Sequence, residues 1–517
     1  MPEPPQADPK PEGRRITRLP QLLKKKPAGD VIAADIGEGA HDVAVGKNII
    51  QIGTLAFPLW ALLALLAGVA VGVALLAWIA FRTPQGPKTM GGLFNVAVAE
   101  FGVLDTAGQA HSSQEGDLLS RRLFEGLQIE FNSLPKDIQQ NFQPQVWQDS
   151  LDAAQKGVKI GVIPGSTPAD QEKAACALAA VINARMVIYG NLPASGSATN
   201  FTPQVAVCNN SQLRIDSDEI VGAHQVGSGI PASLLGVLND PNVEASVNVK
   251  LNAWINTFAS FTIGVMYDLQ GRSDLALTVF QQAQNEVKSN TGSENEVIWF
   301  FIGREYLLLK QDDQAEKAFL QSIKINAHYA RAYLGLGTVY VDRAVALAPV
   351  QRASTPDLEK ASAQYQQALQ EAASSPGALV DVKANLGLAT TSLLKGEMER
   401  DQGNLNGAAQ TFQSALQRAT TASQSLADAK DFRTLAQAYL TEGEAYHELG
   451  HLKLQIGDRQ ASQDMFKQAI HSYDQCIAQQ AAAPADSVLG NEIVQKLCIP
   501  YQKDARDALI QINGGTP

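Results

Sequence analysis

His447-Glu448-Leu449-Gly450-His451 is a literal His-Glu-x-x-His, the spacing that sets two imidazoles on one face of a helix around zinc with Glu as general base. Such a centre needs a third protein ligand. No Glu lies between Glu448 and Glu492, and the extended form with a further Gly and His is absent. His447, Glu448 and His451 therefore stand as metal candidates without a completed ligand set. Glu100 and Asp105, near the end of one apolar run, are candidate paired carboxylates, with solvated strand-end residues as the plainer reading. The loop Pro164-Gly165-Ser166-Thr167-Pro168 opens a helix and could receive an anion, or simply cap it through Thr167. Gly46-Lys47 fails as a phosphate loop, because His41 stands where Gly is required and Asn48 where Ser or Thr would bind magnesium. No Gly-x-Ser-x-Gly elbow, dinucleotide fingerprint or kinase signature occurs, so no catalytic residue and no cofactor is expected. Cys176 with Cys208, and Cys476 with Cys498, fall two by two in separate regions; both disulfides and buried thiols fit that distribution.

The elements that must carry these residues begin with an apolar run. Thr54 to Phe81 is 28 residues without a charge. The part from Phe57 spans about 37 Å as a helix, enough to cross a bilayer core with slight tilt. Trp60 and Trp78 fall near the two interfaces. Lys10, Arg14, Arg15, Arg18, Lys24, Lys25, Lys26 and Lys47 precede it and only Arg82 and Lys88 follow closely, which predicts a cytoplasmic N-terminus and extracytoplasmic C-terminal domains. A net charge of -11 provides no basic field for a nucleic acid, so none is expected as partner.

The pattern divides the 517 residues as follows. Residues 1–29, Pro-rich and charged, are expected to be a disordered cytoplasmic tail. Residues 30–53, with short β-branched runs between Gly37, Gly39 and Gly46, form a juxtamembrane β element, and residues 54–81 the transmembrane helix. After a linker at 82–92, residues 93–235 read as an α/β domain. Strands are expected at 95–101, 158–163, 186–190, 201–208 and 213–221, with helices over 114–131 and 168–184. Residues 250–483 are helical and repetitive, and 484–517 hold a terminal capping helix near 493–512 and a tail.

Gly264, Tyr267, Gly271, Ala276, Phe280 and Ala283 stand at offsets 0, 3, 7, 12, 16 and 19. Gly303, Tyr306, Ala315 and Phe319 repeat that spacing, with Ser322 for the last Ala. Gly337 and Tyr340 begin a third copy, completed by Ala361, Tyr365 and Ala368 after an insertion. Gly396, Gly403, Ala408, Phe412 and Ala415 form a fourth, and Gly450, Gly457, Ser462, Phe466 and Ala469 a fifth. Glu399 and Lys453 replace Tyr in these last two, and the aromatic separations widen to 46, 47 and 54, which predicts longer helices. The spacing resembles the tetratricopeptide repeat family. Small residues let paired helices approach while the aromatics fill the space to the next pair, giving a superhelix whose inner surface accepts a peptide or a helix.

The run Val96-Ala97-Val98-Ala99-Glu100-Phe101, the helix containing Glu115-Gly116, and Ala184-Arg185-Met186-Val187-Ile188-Tyr189-Gly190 resemble the N-terminal α/β domain of TolB and similar envelope proteins. That resemblance implies partner or effector contact and carries over no active-site residue. The expected fold is thus an α/β domain followed by an all-α superhelix, behind a single membrane helix. The expected function is a non-enzymatic, membrane-anchored interaction scaffold of the bacterial cell envelope. It would take a protein or peptide partner on the repeats, with self-association as a further option. A membrane-anchored sensor, its α/β domain binding a small ligand or peptide, is the alternative, and zinc hydrolysis through His447 and His451 the second.

Overall fold

Alternation of small and β-branched residues over Asn95–Val98 (β1) puts Val96 and Val98 on one face and Ala97 on the other, all fully buried, the signature of a strand covered on both sides. β1 is flanked in parallel register by Gln145–Gln148 (β4) and Met186–Tyr189 (β5). Gln204–Val207 (β7) and Gly222–Gln225 (β8) extend the sheet antiparallel, in the order β4-β1-β5-β7-β8. Gly102–Leu104 (β2), Ala110–His111 (β3) and Asn191–Leu192 (β6) make a small second sheet. This computed structural model describes residues 89–105, 108–148, 159–193, 201–208, 219–227, 229, 244–347, 356–374, 379–426, 431–482 and 490–514. The expected tail at 1–29, β element at 30–53 and membrane span at 54–81 lie outside them. Among the described residues no helix is long and apolar enough to cross a membrane.

The small second sheet, β4 and one helix were not foreseen, and one expected strand is reduced. β4 and the helix Lys136–Phe142 (α2) fall in a Gln-rich stretch with little apolar periodicity. The expected strand at 158–163 contributes one bridge, Glu100 to Val162, because Gly161 takes φ +65° and breaks the extended run. The strand expected at 213–221 falls largely outside the described residues, and pairing is found instead at β8.

The two faces of the main sheet are covered differently. Pro168–Ile182 (α3) packs Ala175, Ala179 and Ile182 against Ala97, Trp147, Val187 and Ala206. On the opposite face Gln114–Ser133 (α1) presents Leu119, Leu123, Leu127 and Phe131 to Val96, Val98 and Ile188. That second core does not stop at the α/β region. It continues without a break into Trp254, Phe258 and Phe261 of Glu244–Leu269 (α4) and on through the first three helix pairs. The rings of Phe201 and Trp254 lie 6.5 Å apart across the join.

The helical part pairs α4 with Ser273–Thr291 (α5), Glu296–Leu308 (α6) with Asp312–Ile325 (α7), and Ala330–Ala346 (α8) with Asp357–Gln370 (α9). Val380–Asp401 (α10) then pairs with Leu405–Ser425 (α11), and Phe432–Gln455 (α12) with Arg459–Ala482 (α13). Each repeat aromatic lies on a glycine of its own first helix: Phe280 on Gly264, Phe319 on Gly303, Tyr365 on Gly337, Phe412 on Gly396 and Phe466 on Gly450. Phe319 also meets Gly335 of the following pair, and Tyr365 meets Gly387, so a single ring is clamped between consecutive repeats. The insertion, twelve residues beyond the Gly-to-Ala interval of the first two copies, falls between α8 and α9. α12 and α13 reach 24 residues each and add a second ring on a second notch, Tyr473 on Gly443, which accounts for the wide final spacing. A helix was expected over 493–512; the chain instead forms a π-helical stretch, Gly490–Cys498, followed by Ile499–Ile512 (α14). Pro500 in the first turn of α14 has no N–H to give to a continuous α-helix, so the two segments differ in hydrogen bonding.

Candidate functional site

The sequence candidates for chemistry are held in structural contacts. The imidazoles of His447 and His451 stand edge to face at 4.6 Å, and both rings pack on Phe466 of the paired helix, at 5.4 and 5.1 Å. Gly450, which carries no side chain, leaves room for the Phe466 ring to lie against both. Ala445, Leu449 and Leu452 of α12 are buried, and Ile456 just past its end is exposed. Glu448, the would-be base, is ion-paired to Arg400. Burial, then His451 and Arg400, pushes His447 down to about 4, so it is neutral at pH 7. Among the described residues no group of three or more His, Cys, Asp or Glu is placed to hold a metal ion.

The carboxylates at the strand end have separate partners. Glu100 meets Lys159 at 3.1 Å, and Asp105 meets His111 Nε2 at 2.8 Å. In the 164–168 loop Thr167 Oγ1 accepts from Asp170 N at 3.1 Å and donates to the Asp170 carboxylate at 2.8 Å, which brings negative charge of the chain's own to that helix end. Cys176 is bonded to Cys208, tying α3 to the end of β7, and Cys476 to Cys498, tying α13 to the π-helical stretch; no cysteine among the described residues is free.

A polar cluster that sequence reasoning missed lies where the α/β region meets successive first helices. Arg304 of α6 is buried and holds Asp268 of α4 through two bonds of 3.0 Å, Nε to Oδ2 and Nη2 to Oδ1. Its third nitrogen, Nη1, donates to Glu219 Oε2 at 2.9 Å. Arg331 of α8 donates to the Glu219 carbonyl at 2.8 Å. Although burial opposes its charge, Asp268 and Glu219 hold the Arg304 guanidinium well above its ordinary range. Burial, then the neighbouring Asp268, raises Glu305 well above the usual carboxylate range. His224 of β8 packs edge-on to Phe301 at 5.2 Å and is held well below its usual value by burial and then Arg331. Asn295 caps α6 through Ile298 N at 3.1 Å and reaches the carbonyls of Gln225 and Gly227. Residues 219–227 of the α/β region therefore lie along the first helices of the first three repeats. The signal was local: Arg304-Glu305 interrupts an apolar helix, Val297 to Leu308, where charges need partners from elsewhere.

Beyond Arg331 the first helices α10 and α12 carry Glu397, Arg400, Glu444 and Glu448, all partly buried, beside Tyr501 of α14. Burial, then Glu397 and Glu448, pushes Glu444 up to about 7. Elsewhere a polar cleft of about 500 Å³ opens on α4 and α5, lined by Asn256, Gln281, Gln282, Asn285 and Glu286 among others.

Two stretches, residues 297–329 and 435–476, match the tetratricopeptide repeat family model. They coincide with the pairs α6–α7 and α12–α13. No curated protein matches the chain. Among solved structures, a thermophilic TPR protein of Thermus thermophilus aligns at 16% identity over 49% of this chain and 99% of its own, with a TM-score of 0.28. PilW, described as a type IV pilus biogenesis factor, aligns at 17% identity over 50% and 93%, TM-score 0.26. YrrB, described as a TPR protein with an unusual peptide-binding site, aligns at 13% over 44% and 91%, TM-score 0.27. At such scores the likeness carries no argument about what this chain binds. The chain carries tetratricopeptide repeats, arranged as a TPR-like superhelix beside a small α/β region.

Proposed function

We propose that this chain is a non-catalytic scaffold, tethered to a membrane by residues 54–81, whose repeats hold a protein partner. The observation that carries the reading is the division of the first-helix face. Residues 219–227 of the same chain lie along its first three repeats and reach the start of α10, where Lys383 lines a small cavity with Glu219, whereas further along Glu397 and Arg400 of α10 and Glu444 and Glu448 of α12 are partly buried charged side chains of the repeats. A repeat array that supplies packing and an extended face, without a converging nucleophile and base, is suited to binding. The α/β region is assigned as a TolB-like envelope module, a reading supported by its mixed five-stranded sheet with helices on both faces. Two disulfides favour an oxidising compartment, in keeping with a cytoplasmic N-terminus and C-terminal domains in the cell envelope. Self-association through the same helices belongs to this reading as a secondary option.

The test is protease protection in spheroplasts of cells expressing the chain with a tag at each terminus. External protease is expected to remove the C-terminal tag and spare the N-terminal one. Protection of the C-terminal tag until lysis would reverse the orientation and move the scaffold to the cytoplasm.

A further inference from the structure

We infer that the cavity between Glu219, Arg331 and the start of α10 is a site for one monatomic anion, chloride in ordinary solution, which completes the join between the α/β region and the repeats. The cavity measures about 10 Å³, room for a single water-sized particle, and is lined by Glu219, Phe300, Arg331, Leu334, Gly335 and Lys383. Arg331 is only 2% exposed, so its guanidinium is cut off from bulk water. Its Nη1 donates to the Glu219 carbonyl at 2.8 Å, while its Nη2 is buried and meets no hydrogen-bond partner among the described residues.

The neighbouring guanidinium shows what Arg331 lacks. Arg304 has two bonds to the Asp268 carboxylate and one to that of Glu219, and against the effect of burial these acids hold it well above its ordinary range. Arg331 has a bond to a neutral carbonyl instead, and burial lowers it. The Glu219 carboxylate is already engaged by Arg304. Glu172, the other carboxylate near Arg331, accepts from Ala223 N at 3.1 Å and is itself raised by burial. His224, held low by burial and then by Arg331, with Lys383 adding to the effect, is neutral and gives its Nε2 proton to the Ile220 carbonyl at 2.6 Å. A water molecule in the cavity would accept from Nη2 and leave the buried charge uncompensated. A halide accepts the same N–H and also offsets the positive charge of Arg331 and Lys383. The small volume selects a monatomic ion over sulfate, phosphate or a carboxylate.

The full chain is to be unfolded in urea at constant ionic strength while chloride replaces gluconate, an anion too large for the cavity. The midpoint is expected to rise with chloride and then level off; at about ten times its dissociation constant the ion multiplies the folding equilibrium constant about tenfold. Arg331→Gln is expected to remove this dependence and Lys383→Gln to shift it to higher chloride. Lys467→Gln, an exposed change on α13, leaves it unaltered. Crystals of the unchanged chain grown in sodium bromide give a second readout that stands even where Arg331→Gln fails to fold: an anomalous bromide peak beside Arg331 Nη2 is expected. A midpoint indifferent to chloride, a dependence that persists in Arg331→Gln, or a cavity that holds water alone in bromide overturns the site. A bromide peak without any chloride dependence marks an adventitious ion only and overturns it as well. The scaffold reading has its own test in the topology experiment and survives any of these.

Discussion

At the scale of single residues, α12 holds two titrating groups whose effects oppose each other. Glu444 is pushed up to about 7, so the folded chain binds more protons than the unfolded one; its contribution is present below the ordinary Glu range and is lost as pH rises through 7. His447 is pushed down to about 4; its contribution is present above the ordinary His range and is lost as pH falls through 4. Relative to wild type, Glu444→Gln is therefore expected to gain stability as pH rises from 4.5 to 7, and His447→Asn to gain it as pH falls from 6.5 to 4. Each change should be on the order of 2 kcal/mol, read from urea midpoints across pH. The histidines and Glu448 were legible as a motif, but their role was not. Periodicity places a residue on a helix face and cannot show that a ring from the next helix settles over Gly450 against two side chains. The cysteines were more legible, because each pair is local in the chain.

At the scale of elements, the repeat spacing was readable because its cause is repeated: a glycine notch, then a ring sixteen or more residues later to fill it. What a single repeat could not show is that the ring is gripped from both sides. A Cβ added at Gly335 would stand 2.5 Å from the Phe319 ring, and one added at Gly303 2.8 Å from it, so the ring is closely held by both helices. Gly335→Ala is expected to cost about 1–3 kcal/mol by urea unfolding, and less than additively when combined with Phe319→Leu, whose smaller side chain yields the space. The α/β elements were less legible. β4 has two Gln at its ends and takes its strand form from pairing with β1 and from burying Trp147, neither of which is a local property. The single bridge at Val162 shows the converse, an apolar run that Gly161 turns out of the sheet.

At the scale of the molecule, the sequence divided an α/β domain from the repeats, whereas the described structure runs one apolar core through both and pins the join with Glu219, Arg304 and Asp268. Arg304→Ala leaves Asp268 buried without its cation and is expected to cost about 3–5 kcal/mol. Because the join is shared, Trp147 fluorescence in the sheet and amide exchange in α6 should report the same loss; separate transitions would show two independent units. Glu219 lies 85 residues from Arg304, and no local pattern announces a bond across that distance. The join and the Cys476–Cys498 bond also bear on wear in the cell. A stack of helix pairs comes apart most readily from its first and last members, which have only one neighbour each. Here the first is buried against a sheet and the last is covalently stapled to the helix that covers it. An unfolding machine or processive protease pulling from either side meets the hardest step at the outset, and reducing agents remove that protection at the C-terminal side of the repeats.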